Sequence, residues 1–368
     1  MRPSRLLAPL ALVLTLVLAL ILLTACSTPY HPAVTVRDST PFPGIAGVIA
    51  AGRGHPVDVI LVHGICTHDR SWAEQAIDQI AGIVATHAPP APAAAAGGIQ
   101  VVEATRQLAG GTVRFHALVW SPMTASLKHQ LDYDNTGTPT DCAHDTVCKP
   151  KRARLNGIVK DWLLNDCLSD AMIYEGDSHP AIRDTMVDTV SRVIDAHPND
   201  AGTLVVVAQS LGSKMLFDAL SAMLESDQPH TRELGQQAAR RLGLIFMAGN
   251  QMPILGLAKQ SPVARAMPPQ DALQHFLDLR RRQVAPRAGA ISRLAVVAFT
   301  DPNDLLSYRL LPARYAAPDV AVADVLVSNA RTWLGLIENP LTAHMSYLDN
   351  PDVDALIACG YPKVAGCR

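Results

Sequence analysis

Ser210 stands in the stretch "VVVAQSLGSK" (residues 205–214), where an apolar run ends, a serine follows and a glycine comes two places later. A serine hydroxyl attacks a carbonyl effectively only when a neighbouring base takes its proton and an acid holds that base in one tautomer. Residues of both types lie further along the chain in comparable positions. "LAVVAFTDPNDLLSY" carries an apolar run into Asp301 and Asp304, and "ENPLTAHMSYLDNP" puts His344 in a proline-bearing loop after the last such run. With 13 histidines in the chain, a single loop histidine is ordinary; His344 stands out because it comes last in the order serine, aspartate, histidine. The chemistry in view is nucleophilic attack by Ser210 with His344 as base. Either Asp301 or Asp304 would orient it, and Asp301 also suits capping of the turn.

Such residues act together only if several strand ends meet at one edge. Continuous runs rich in Val, Ile and Leu recur at 57–62, 113–120, 204–208, 243–247, 294–299 and 320–327, as in strands buried on both faces. Helical spacing recurs at 71–87, 181–197 and 214–226. The alternation predicts an α/β fold, a mainly parallel sheet with helices on both faces. Ser210 then falls at a strand-turn-helix junction, where the first backbone N–H groups of the helix point outward. Residues of about 121–180 stand apart as an insertion. Ile158, Trp162, Leu163, Leu168 and Met172 near helical spacing make it a core-covering helix or part of a cap over a pocket. Residues 119–134 would line an acyl pocket or pack that cap, and the loop with Gly249, Asn250 and Met252 would form a pocket wall. Residues 88–98 are of low complexity.

The first 25 residues read as a signal peptide: Arg2 and Arg5 precede an apolar run from Leu6 to Leu23. Leu23-Thr24-Ala25-Cys26 resembles the bacterial lipobox, which implies a lipidated Cys26 and a membrane partner reached through it; the alternative is an uncleaved membrane anchor. Ser27 stands where an inner-membrane retention aspartate would often sit, which favours the outer membrane of the cell envelope. Residues 26–55 read as a tether, and 56–368 as the domain. Six further cysteines remain for an oxidising compartment. Cys142 with Cys148 and Cys359 with Cys367 are close enough to close short loops, which leaves Cys66 to pair with Cys167.

A second apolar run ends in His63-Gly64, within "VDVILVHGICTHDRSW". With this feature, residues from about 57 to 356 resemble the α/β-hydrolase superfamily: an HG loop at 63–64, an elbow at 208–212 with Ala208 in place of the first glycine of G-x-S-x-G, an acid after the penultimate strand and a histidine after the last. The resemblance implies an eight-stranded type of sheet, of which six strands are legible. It favours Asp304 over Asp301 as the acid, which the family places a few residues past the strand. It also implies oxyanion donors in the backbone N–H groups of Leu211 and of Ile65, with Cys66 the alternative, and a supporting role for His63. The function implied is a lipid-anchored serine hydrolase that cleaves carboxylic esters, esterase- or lipase-like, with no metal or organic cofactor. The same residues would serve an acyltransferase or amidase, and a binding lipoprotein on a hydrolase fold is the non-enzymatic alternative.

A net charge of −2 supplies no field for nucleic acid. Asp58, His68 and Asp69 flank the HG loop without metal-ligand spacing and read as loop residues. "LRRRQ" (279–283) reads as a solvated helix face rather than a headgroup contact. The sequence specifies no oligomeric state.

Overall fold

The six apolar runs become six parallel strands at the centre of one eight-stranded sheet. The computed structural model describes residues 26–364 and 367, apart from 37–38, 83–97, 138, 141, 143–147, 150, 198–201, 261–269 and 286–292. In chain order the strands are β1 (Cys26–Ser27), β2 (Val34–Thr35), β3 (Val57–Val62), β4 (Gln100–Leu108), β5 (Gly111–Val119), β6 (Leu204–Gln209), β7 (Leu242–Ala248), β8 (Leu294–Thr300), β9 (Val320–Leu326) and β10 (Thr332–Trp333). From edge to edge the sheet runs β2-β9-β8-β7-β6-β3-β5-β4, while β1 and β10 form a separate two-stranded ribbon.

Helices cover both faces: α1 (Gly44–Ala51), α2 (Arg70–Ile80), α3 (His179–Asp195), α4 (Leu211–Glu225), α5 (Pro229–Arg241), α6 (Ala272–Gln283) and α7 (Pro351–Cys359). Side chains alternate between faces along a strand, so Val59 and Leu61 of β3 pack with Ile45, Ile77 and Ile357 from α1, α2 and α7. Ile60 and Val62 pack on the other side with Val190, Met215, Leu234 and Phe276 from α3 to α6. Each such large apolar side chain is worth roughly 1.5–3 kcal/mol when buried. That burial explains why unbroken apolar runs, rather than alternating ones, mark these strands.

The connections from β3 and β6 diverge. After β3 the chain crosses one face through α2 and reaches β5 by way of the edge strand β4, whereas after β6 it crosses the opposite face through α4 and α5 to β7. β3 and β6 are hydrogen-bonded neighbours, so the carboxyl ends of these two strands flank a topological switch point, where open α/β sheets leave a crevice.

Two strands of the eight-stranded sheet were not legible as apolar runs. β4 is an edge strand that carries Glu103, Thr105, Arg106 and Gln107, and only Val102 of it is fully buried. It forms a hairpin with β5 through Ala109 and Gly110, at φ 48° and 79°, as a type I′ turn requires. β2 is two residues long and antiparallel to β9. The expected tether at 26–55 is thereby corrected: β2 extends the sheet and Phe42, Ile45 and Val48 are buried. Its Pro and Gly content reflects tight turns around a short apolar helix, with the Phe42 ring edge-on to Phe246 at 6.1 Å.

The insertion follows β5. Arg154–Ile158, Val159–Leu168 and Ser169–Glu175 run on as consecutive helical segments, the middle one a π-helix. Its wider i→i+5 winding shifts the inward face away from the period expected. Cys167 and Tyr174 are buried, while Ile158 and Met172 point to solvent. The sulfurs pair as Cys66–Cys167, Cys142–Cys148 and Cys359–Cys367, the pairing expected from the sequence, and Cys26 is free and exposed.

Candidate active site

Ser210 sits between the last residue of β6 and the first of α4 at φ 51° and ψ −126°, a backbone state that costs a non-glycine residue about 1–3 kcal/mol. The turn is held there because Ser210 N–H donates to Ala248 O at 2.8 Å and Ser213 N–H donates to Ser210 O at 3.1 Å. Glycines let the neighbouring loop close in. A Cβ on Gly64 would lie 2.7 Å from Ser210 Cβ, and one on Gly212 would lie 2.2 Å from His63 O. The alanine at 208 is fully buried in β6 and its carbonyl accepts the Ser213 hydroxyl at 3.1 Å, so the small residue demanded at this turn is satisfied by a methyl group.

Ser210 Oγ lies 3.1 Å from His344 Nε2. His344 Nδ1 in turn lies 2.9 Å from Asp304 Oδ2 and 3.0 Å from Oδ1. His344 belongs to the short helix Pro340–Met345, capped by the Asn339 side chain. The Gln209 amide fixes that helix by donating to His344 O and Met345 O, both at 3.3 Å. Asp304 is buried and accepts two further hydrogen bonds, from Leu306 N–H at 2.9 Å and from Tyr347 Oη at 3.0 Å. Such a set of donors satisfies a buried carboxylate and holds it in place.

The second aspartate is used differently. Asp301 Oδ1 accepts from Asn303 N–H at 2.9 Å and Oδ2 from Asn329 N–H at 2.6 Å. It shapes the turn and the β9 connection, and its neighbour is Glu338 rather than His344. Burial, and then the Asp301 charge, push the Glu338 carboxyl up to about 7. Asp301 is itself raised, by burial first and with a contribution from Asp304. Asp304, not Asp301, therefore faces the histidine.

Leu211 opens α4, so its N–H has no acceptor within the helix, and among the described residues the Ile65 N–H has no backbone acceptor. Both residues are buried beside the elbow. Cys66, at φ 76°, is tied to Cys167 of the insertion. A second clamp joins the same parts: Asp166 accepts from Thr67 N–H at 3.1 Å, and Lys128 Nζ reaches Asp166 Oδ1 at 2.7 Å and Thr67 Oγ1 at 2.9 Å. The residues at 121–128 thus pack the insertion onto the loop. His63 supports it as well: its Nε2 accepts from Trp120 N–H at 3.0 Å and its ring stacks on Trp120 at 4.6 Å. Burial holds the His63 imidazole well below its usual pKa.

Beside His344 is a cavity of about 110 Å³ with an almost wholly apolar lining, which includes Ile65, Trp162, Leu163, Leu305, Leu306 and Leu341. The insertion supplies two of those walls. The loop at 249–252, read as a pocket wall, is elsewhere: Gly249 backs Asp304 and Tyr347, and a Cβ there would lie 2.9 Å from the Tyr347 ring. Tyr347 and Gln209 escaped the sequence reading. The signal for Tyr347 was its place three residues after His344, which sets both on one face of a helical turn.

The remaining charged candidates have structural roles. Asp69 caps α2 through Ser71 N–H and Trp72 N–H. Asp58 is bound by Arg114 and Arg241 at the opposite end of the sheet. In the basic run, Arg280 is buried against Ala239 O, and Arg281 pairs with Asp319 and Asp278. Among the described residues, the one close group of metal-ligand types is Cys66, Asp166 and Cys167, whose two sulfurs are bonded to each other. The arrangement at Ser210 can deliver a proton from a hydroxyl to an oriented imidazole next to an apolar cavity. Compared with known proteins, the chain matches no family model, and no curated protein is significantly similar to it.

Proposed function

We propose that the protein is a serine hydrolase of carboxylic esters on an α/β-hydrolase fold, with Ser210 as nucleophile, His344 as base and Asp304 as the orienting acid. The observation that carries the reading is the continuous hydrogen-bonded chain from Ser210 Oγ through His344 to Asp304, ending on a strained turn beside an apolar cavity. As Oγ attacks the acyl carbon, its proton passes to His344 Nε2. Asp304 holds Nδ1–H and stabilises the imidazolium. The oxygen that gains negative charge is met by the Ile65 and Leu211 N–H groups. His344 then returns the proton to the departing alkoxide. Water, deprotonated by the same nitrogen, releases the acid from the serine.

The cavity is far smaller than the roughly 300–1,000 Å³ of drug-sized ligand sites. In this reading it holds the first carbons of an acyl chain, and the insertion acts as the cap that walls it. Cys26, the one described cysteine outside the three disulfides, is the proposed lipid attachment, with the domain outside the cytoplasm at the outer membrane. Among the described residues no helix is long and apolar enough to cross a membrane.

The test is kinetic. The purified full chain is expected to hydrolyse p-nitrophenyl butyrate faster than the acetate, with Ser210→Ala and His344→Ala each losing about 10⁴-fold or more in kcat. Leu163→Trp, which fills the cavity, should erase the preference for butyrate. Equal rates for parent and Ser210→Ala would end the proposal.

A further inference from the structure

The apolar run from Leu6 to Leu23 ends three residues before Cys26. On either reading of the N-terminus, lipidated cysteine or retained anchor, a membrane adjoins Cys26. β1 is paired antiparallel with β10, Cys26 opposite Trp333 and Ser27 opposite Thr332. The pairing is reinforced by the Ser27 and Thr332 hydroxyls at 2.7 Å and by Thr332 Oγ1 donating to Ser27 O at 3.0 Å. Partners across such a ladder lie about 4.5–5.5 Å apart. Whatever holds Cys26 at a bilayer holds Trp333 there as well.

What β10 and the turn after it present at that place is apolar. Trp333, Leu334, Leu336 and Ile337 are 60%, 50%, 84% and 68% exposed. They form one small hairpin, in which Leu336 N–H donates to Trp333 O at 2.8 Å and Trp333 N–H to Ile337 O at 2.7 Å. Leu334 and Gly335 form its tip at φ 52° and 65°. A turn with both central residues at positive φ favours Asn or Gly in its first position, yet a leucine is held there against its backbone preference, with its side chain at the tip. Arg331, also exposed, flanks the hairpin. A tryptophan among leucine and isoleucine, next to a basic residue, is the composition that partitions into a membrane interface.

The hairpin leads directly to the cavity. Its return leg continues into Glu338, which accepts from Asn303 of the Asp304 loop at 2.7 Å. Pro340 and Leu341 then line the cavity together with Leu305, which is 73% exposed. The three steps from Ile337 to Pro340 span at most about 11 Å. We infer that this hairpin inserts into the bilayer adjoining Cys26, and that the site draws its acyl substrate from a lipid of that bilayer rather than from a soluble ester. The substrate half of this inference rests on the serine-hydrolase reading above; the docking half does not.

The full chain reconstituted in phosphatidylethanolamine/phosphatidylglycerol vesicles with brominated acyl chains separates the two halves. Bromine should quench part of the tryptophan fluorescence, and Trp333→Phe should remove that part. The double variant Leu334→Asn/Leu336→Asn keeps a residue suited to the turn, so it should fold. It should lower hydrolysis of vesicle phospholipid about tenfold or more while leaving p-nitrophenyl butyrate hydrolysis unchanged. Quenching that is identical in parent and Trp333→Phe overturns the docking. Trp333-specific quenching with hydrolysis of the soluble ester but not of phospholipid overturns the lipid source alone. Trp333-specific quenching with neither ester cleaved leaves the docking standing and overturns the hydrolase reading together with the substrate.

Discussion

Two buried clusters of charge lie toward opposite ends of the same sheet, and each contains a histidine and an aspartate. Toward the amino ends of β3 and β5, Asp58 accepts from Arg114 Nε at 2.6 Å and Nη2 at 2.8 Å, from His116 Nε2 at 3.4 Å and from Arg241. Beyond the carboxyl ends of β6 and β8, Asp304 binds His344, which binds Ser210. Burial alone would raise the Asp58 carboxyl, but His116, Arg114 and Arg241 together hold it well below the usual range. In the first cluster both carboxylate oxygens are taken by cations. The second ends on a hydroxyl at a strained backbone position, next to a cavity. Burial and a His–Asp contact are therefore common to a structural ion cluster and to the proposed active site; the serine hydroxyl, the backbone strain and the open space beside it are what separate them.

The sharpest break between the clusters is expected at the two aspartates of the β8 loop. Asp304→Asn should lower kcat for a p-nitrophenyl ester by about 10⁴-fold, because an amide presents the wrong partner to Nδ1–H. Asp301→Asn should cost less than about tenfold, since its bonds run to Asn303 and Asn329 and not to the base. Equal losses would place Asp301 in the proton path and erase the distinction. At the other end of the sheet the effect should fall on stability. Asp58→Ala removes the buried carboxylate that Arg114 and Arg241 share and should cost about 3–5 kcal/mol in urea unfolding, while kcat per folded molecule stays at the parent value.

The smallest effect concerns pH. The Glu338 carboxyl, at about 7, keeps a proton that an unfolded chain would lose near 4.5. The folded state thus binds more protons than the unfolded one between about 4.5 and 7, and stability falls as pH rises through that window. Asp354 adds a slope of the same sign, because burial, with Asp349 beside it, raises it to about 7. Glu338→Gln should flatten the Glu338 share of this slope and leave the Asp354 share, read from denaturation midpoints at pH 5 and pH 8. An unchanged slope would show that Glu338 ionises normally.

The part of the fold legible in the sequence is the part whose physics is local. Strands buried on both faces must be apolar throughout, so β3, β5, β6, β7, β8 and β9 announce themselves. β4 is half-solvated and carries polar residues on its open face; β2 is too short to show a period; and the packing of Phe42, Ile45 and Val48 depends on α7, some 300 residues later in the chain. The same division holds at the site. Ser210, His344 and the pair Asp301 and Asp304 are marked by falling at strand ends. The choice between the aspartates, which the family resemblance tilted towards Asp304, follows in the structure from Tyr347 and the Leu306 N–H, contacts that placement at a strand end does not disclose. Two of the cavity walls, Trp162 and Leu163, come from the insertion, where a π-helix departs from the 3.6-residue period of an amphipathic pattern.

The most direct test of the account is covalent. The full chain, folded and oxidised, would be treated with a fluorophosphonate probe and the modified residue located by mass spectrometry, beside Ser210→Ala and His344→Ala. The account predicts a single adduct on Ser210, absent from Ser210→Ala and strongly slowed in His344→Ala. A folded parent that takes up no probe, or an adduct that persists in Ser210→Ala, would contradict it.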